Sequence, residues 1–132
     1  STKAWTNEVE VLEILSHPSI VDLVDTFKKN TGMPKLFIVM AYEAGGTLRE
    51  LVNRSNGGLG EQHARALFRQ LASGVCYLHQ RRIIHRDIKL SNIVLDSNHE
   101  NLKIIDFGLS AVMTTGRLQT PCGEYAGLFR RR

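Results

Sequence analysis

The sequence has few cysteines. Cys76 and Cys122 are the two present in 132 residues, too few for a disulfide framework, so a reducing compartment, cytoplasm or nucleus, is the expectation. No apolar run approaches the roughly 18 residues a bilayer span requires, and no secretory signal opens the chain. Repeats and low-complexity tracts are missing too. The five histidines and two cysteines show no metal-ligand spacing. The net charge of +4 owes part of its size to Arg130, Arg131 and Arg132. Because no aromatic residues interleave with a basic face, that tail reads as a solvated end and nucleic acid is not an expected partner. Ser1 stands where an initiator Met would, which fits a fragment or a processed product.

What is present suits one soluble domain, with 42% hydrophobic and 23% charged residues. Val9, Leu12 and Leu15 recur at helical spacing, and Val11 and Ile14 widen the stripe, so a helix is predicted from about Trp5 to Leu15. Pro18 ends it by restricting the residue before it. Strand-like runs follow at Ile20 to Phe27 and Lys35 to Ala41, joined by turn chemistry from Asn30 to Pro34. Gly45-Gly46 breaks the pattern, and Thr47 can cap a short helix through about Val52. After a loop from Asn53 to Gly60, a long amphipathic helix is predicted from Glu61 to Gln80, with Ala64, Leu67, Phe68, Leu71, Val75 and Leu78 on one face. Short β-branched runs then appear at Ile83-Ile84, Ile93 to Leu95 and Leu102 to Ile105. No βαβ unit repeats, so the class is α+β.

The chemistry concentrates in His85-Arg86-Asp87-Ile88-Lys89-Leu90-Ser91-Asn92 and in Asp106-Phe107-Gly108. Phosphoryl transfer asks a protein for positioning and charge neutralisation more than for covalent help. A loop carboxylate, Asp87, can accept a hydroxyl proton, and Lys89 can steady a migrating phosphate. Asn92 and Asp106 offer the hard oxygens that Mg²⁺ prefers. A lone Asp-Phe-Gly says little, but the eight-residue stretch ahead of it, with strand-like residues in both intervals, is specific.

These two stretches resemble the catalytic and metal loops of serine/threonine protein kinases. The resemblance runs from about Thr6 to Tyr125 and implies a partial kinase fold: residues 1–40 as a remnant of the N-lobe, 41–46 as the hinge, and 47–132 as the start of the C-lobe through the activation segment. It makes Asp87 the catalytic base and Lys89 the phosphate-contacting lysine of the serine/threonine class. Asn92 and Asp106 become the Mg²⁺ ligands, Arg86 the partner of a phosphorylated activation loop, and His85 a structural residue. Asn7-Glu8-Val9 opening a helix that leads to His17-Pro18-Ser19-Ile20-Val21 resembles the regulatory helix, with Glu8 as its ion-pairing glutamate. Met40-Ala41-Tyr42-Glu43 resembles the gatekeeper and hinge, where Met40 would line the nucleotide pocket and backbone groups from about Ala41 to Glu43 would bond adenine. The implied cofactors are ATP and Mg²⁺, and the implied partner is a protein carrying a Ser or Thr hydroxyl.

Leu109-Ser110 and Leu118-Gln119-Thr120-Pro121-Cys122-Gly123 resemble the activation segment of calmodulin-dependent and AMP-activated-type kinases, which makes Thr120 the candidate site for an upstream kinase. Three family parts are not in the sequence: a glycine-rich loop, a strand lysine to pair with Glu8 (Lys3 lies too close), and an Ala-Pro-Glu after Gly123. Weak or no turnover by the isolated chain, with poor folding or association through exposed apolar side chains, is therefore expected. The alternative is a truncated kinase-like module that acts by binding a partner without catalysis.

Overall fold

The structure is a computed structural model that describes residues 2–113, with side chains from residue 7 onward. Helix α1 spans Thr2–Ile14, starting before the predicted Trp5. Val11, Leu12 and Leu15 are buried, as their spacing demands, and the chain leaves the helix ahead of Pro18. The hairpin pairs β1 (Leu23–Lys29) with β2 (Lys35–Met40) antiparallel, with an irregularity between Leu23 and Asp25. Phe27 and Phe37 face each other across it, their rings stacked at 4.8 Å.

The predicted start of β1 at Ile20 is corrected here. Ile20 and Val21 pair with a later strand: Ile20 bridges Ile104, Val21 N–H donates to the Ile104 carbonyl at 3.1 Å, and Ile104 N–H donates to the Ser19 carbonyl at 2.8 Å. Both side chains are buried. A partner distant in sequence claimed this β-branched dipeptide, which local pattern cannot foresee.

Helix α2 (Leu48–Arg54) is capped by Thr47, whose hydroxyl accepts the Glu50 N–H at 3.2 Å. Helix α3 spans Glu61–Gln80, as predicted. Leu67 and Leu78 are buried, whereas Phe68, expected on the same face, is 68% exposed. At 100° per residue, Phe68 sits at the margin of the stripe that Leu67, Leu71 and Leu78 turn inward.

The remaining strands are short: β3 (Ile83–Ile84), β4 (Ile93–Leu95), β5 (Leu102–Ile104) and β6 (Ala111–Val112). β3 pairs with β6 and β4 pairs with β5, both antiparallel. That topology positions the site. The segment from 85 to 92 runs from the first ladder to the second, and the segment from 105 to 110 runs back. Two loops strung between the same two ladders must lie side by side.

The core has two centres. Val11, Leu12, Leu15, Ile20, Val21, Leu78, Ile83, Ile104 and Phe107 form one; Leu48, Leu67, Ile93, Leu95 and Leu102 form the other, and Leu71 packs on both. Each such side chain withdrawn from water contributes about 1.5–3 kcal/mol. Phe107 of the Asp-Phe-Gly triplet is fully buried under α1, so packing of the helix anchors the loop that follows β5.

Candidate active site

His85 ties the two loops together. It is buried, its Nε2 donates to the Ile105 carbonyl at 2.8 Å, and its Nδ1 accepts the Asp87 N–H at 3.1 Å. Those roles fix the neutral Nε2–H tautomer. Burial, opposed by the Ile105 carbonyl and by the charges of Asp106 and Asp87, holds its pKa below the ordinary value. Its ring meets the Phe107 ring edge-on at 4.8 Å. His85 is a structural clamp, in keeping with the sequence reading.

Asp87 follows Arg86, whose backbone is left-handed at φ 68° and whose Nε donates to the Leu109 carbonyl at 2.5 Å. The Asp87 carboxylate is held from two sides. Asn92 Nδ2 donates to its Oδ2 at 3.0 Å and also to its backbone carbonyl at 3.0 Å, and Lys89 Nζ lies 3.6 Å from Oδ2. A single helical turn of 3₁₀ type, Leu90–Asn92, brings Asn92 back to Asp87. With its nitrogen committed to Asp87, Asn92 keeps its amide oxygen as the end that can meet a cation.

Asn92 and Asp106 are brought to the same end of the β4–β5 ladder. Ile93 pairs with Ile104, and the Asn92 carbonyl accepts the Ile105 N–H at 3.0 Å. Asp106 has φ 60°, and its Oδ1 accepts the Gly108 N–H at 3.2 Å. An amide oxygen and a carboxylate on neighbouring turns form a hard donor set of the small size that Mg²⁺ accepts, since that ion keeps waters and phosphate oxygens as its other ligands. The residues fit the ion that the sequence implies. Among the described residues no cluster of three or more His, Cys, Asp or Glu side chains is grouped to hold a metal ion.

Glu8 projects toward the metal loop. Burial and the nearby Asp106 charge raise its pKa, partly offset by the Phe107 backbone N–H. Beside it, Asn7 Nδ2 donates to the Ser110 carbonyl at 2.9 Å. This link from α1 to the segment after Gly108 is absent from the sequence reading, because nothing in a helical pattern marks a side chain for a partner 103 positions away. At the hairpin end, Met40 closes β2 opposite Leu23 and is 37% exposed. The Ala41 N–H donates to the Asp22 carbonyl at 3.0 Å, so that donor is already engaged. Glu43 is partly buried and Tyr42 is exposed. Thr120 and the rest of the segment from 114 onward lie outside the described residues.

A family model described as "Protein kinase domain" matches residues 1–126. The chain is 44% identical over 118 residues to "NUAK family SNF1-like kinase 2" of Homo sapiens and, equally, of Pongo abelii, covering 89% of this chain and 18% of each relative. It is 41% identical over 120 residues to "CBL-interacting protein kinase 31" of Oryza sativa subsp. japonica, covering 88% of this chain and 26% of that protein. The chain therefore spans about a fifth to a quarter of the length of these relatives.

Proposed function

We propose, from the premise that this chain belongs to the protein kinase domain family, that it carries the catalytic and metal loops for transfer of the ATP γ-phosphate to a Ser or Thr hydroxyl of a protein. The observation that carries this reading is the Asn92 side chain, bonded to the Asp87 carboxylate at 3.0 Å while its backbone is bonded to the residue before Asp106. One residue thus joins the proposed proton acceptor, through its side chain, to the strand end that precedes the proposed cation ligand, through its backbone.

The roles follow from position and chemistry. Asp87 orients the substrate hydroxyl and takes its proton; Asn92 holds that carboxylate, and the Asp87 N–H to His85 bond holds the backbone beneath it. Lys89, within 3.6 Å of Asp87, supplies positive charge where the transferring phosphoryl gathers negative charge. Asn92 and Asp106 would hold Mg²⁺, whose chemistry when bound is to neutralise phosphate oxygens. Glu8 borders that site from α1. Met40 and the backbone of Ala41 and Glu43 would receive the adenine. Thr120 stays the proposed target of an upstream kinase.

The test is radiolabelled γ-phosphate transfer to a protein substrate, by the 132-residue chain and by a completed domain that adds a glycine-rich loop and strand lysine to it, each beside Asp87→Asn. The completed domain is expected to lose about 10²–10³ of its rate in the variant, the scale set by removal of one preorganised catalytic group; the 132-residue chain alone is expected to turn over weakly. Acid hydrolysis of the product should yield phosphoserine or phosphothreonine, not phosphotyrosine. Transfer indifferent to Asp87→Asn would sink the assignment. Binding of a partner without nucleotide dependence, together with no transfer by either protein, would favour the non-catalytic module.

A further inference from the structure

The stretch that follows the proposed hinge is pressed against the end of β4. A Cβ placed on Gly45 would lie 2.0 Å from the Asp96 carbonyl oxygen and 2.7 Å from that of Leu95, so only glycine fits. The Gly45 peptide is gripped at both ends. Its N–H donates to the Leu95 carbonyl at 2.8 Å, and its carbonyl accepts from His99 Nε2 at 3.1 Å. Leu95 N–H returns to the Gly46 carbonyl at 2.9 Å.

His99 is itself held firmly. It occupies φ 59° in the turn between β4 and β5. Asp96 organises that turn: its Oδ1 accepts the Glu100 and Asn101 N–H groups at 2.9 and 3.1 Å, and its Oδ2 accepts Asn101 Nδ2 at 2.7 Å. The His99 carbonyl accepts from His63 Nε2 on α3 at 2.6 Å, and the next carbonyl, Glu100, accepts from Gln70 Nε2 at 2.7 Å. Helix α3 thus holds the backbone of residues 99 and 100, and the His99 side chain reaches from that held backbone to the Gly45 carbonyl.

We propose that His99 is a positioning residue for the nucleotide hinge, fixing the Gly45 carbonyl so that the backbone of residues 41–43 meets adenine in one geometry. The role of His99 rests on the hinge reading given above. His99 touches no substrate; it acts through the Gly45 peptide, and His63 and Gln70 hold it in place.

Two substitutions separate positioning from a merely structural part in the turn. Asn tolerates the left-handed backbone well, but it is too short to place an N–H where His99 Nε2 lies. Gln is less suited to positive φ, yet its Nε2 lies the same number of bonds from the backbone as that of His. A turn-only role ranks Asn above Gln, and a positioning role ranks Gln above Asn.

The experiment is amide hydrogen exchange read by mass spectrometry on the 132-residue chain, comparing the native sequence with His99→Asn and His99→Gln, followed by Mg-ATP titration of the same samples. His99→Asn is expected to speed exchange in residues 41–47 by about three- to tenfold, the effect of one net hydrogen bond, with 96–101 unchanged. His99→Gln is expected to restore protection, and nucleotide affinity to follow the same order. Protection unchanged in His99→Asn, no gain from Gln over Asn, or native exchange in 41–47 already at the rate of an unstructured peptide would each overturn the proposal. Exchange in the expected order with no nucleotide bound by any sample would uphold the grip of His99 on Gly45 and overturn the reading of 41–43 as the adenine contact.

Discussion

Asn92 is nearly buried, with 7% of its surface exposed, and both of its bonds to Asp87 come from one nitrogen. Replacing it by Asp would exchange that donor for a second carboxylate facing Asp87. The lost hydrogen bonds cost about 1–3 kcal/mol, and like charges add to that. Asn92→Asp is expected to lower the melting temperature, with excess Mg²⁺ restoring part of the loss because a cation can sit between the two carboxylates. A melting temperature unmoved by Mg²⁺ would show that no cation settles between positions 87 and 92. Gly74 poses a different question at the same scale. A Cβ there would stand 3.0 Å from Ile104 Cδ1 and 3.2 Å from the Ser19 side chain. Alanine gains about 1 kcal/mol of helix propensity, but overpacking a filled contact costs about 1–3 kcal/mol. Gly74→Ala is expected to destabilise on balance, and a rise in denaturant midpoint would show that α3 can retreat from β5.

The elements are joined by specific polar contacts, and the link between residues 16–19, which follow α1, and α3 is expected to respond to pH. His17 Nδ1 accepts the Ser19 N–H at 2.9 Å, and Nε2 meets Ser73 Oγ at 3.1 Å. The ring lies 5.0 Å from Tyr77, whose hydroxyl accepts the Ser16 N–H at 2.8 Å. Burial first, then the charges of Arg81, just past the end of α3, and of Lys103 on β5, lowers its pKa from the usual 6.5; Lys103 is itself paired with Asp22 at 3.3 Å. A base whose folded pKa is depressed contributes stability that is present above its unfolded value and lost as pH falls through the folded value. Acidification below 6.5 is thus expected to weaken the seat of residues 16–19 on α3, since protonated Nδ1 cannot accept from Ser19. Comparing the stability of native protein and His17→Asn between about pH 7 and about pH 5 tests this; parallel curves would refute it. The helices were legible in the sequence because their apolar spacing and the Thr47 cap are local signals. The hairpin was legible because its turn residues are. Ile20 and Val21 were assigned to the wrong partner, and the Asn7, His63 and His99 bonds went unseen, because each depends on a residue far along the chain. The catalytic and metal loops were readable as motifs, yet their adjacency is a property of the two paired ladders.

At the scale of the whole molecule, those ladders place the chemistry at one edge of a small core and leave much of α3 uncovered. Phe68, Leu71, Val75, Cys76 and Ile88 line an apolar groove along α3, with Phe68 at 68% and Ile88 at 41% exposure. Among the described residues no helix is long and apolar enough to cross a membrane, so this surface is not that of a spanning segment. An apolar strip in water favours association, because each large side chain covered recovers up to about 1.5–3 kcal/mol, an appreciable part of the about 5–15 kcal/mol that holds a domain together. The isolated chain is therefore expected to self-associate with rising concentration. Sedimentation at several concentrations should show the drift in mass, and Phe68→Glu should suppress it, since a carboxylate in the groove would have to be desolvated on contact. Phe68 makes none of the hydrogen bonds that hold Asp87 and Asn92, so the substitution should leave those bonds intact. If native protein and Phe68→Glu sediment alike as monomers across the range, the exposed strip on α3 has no part in association.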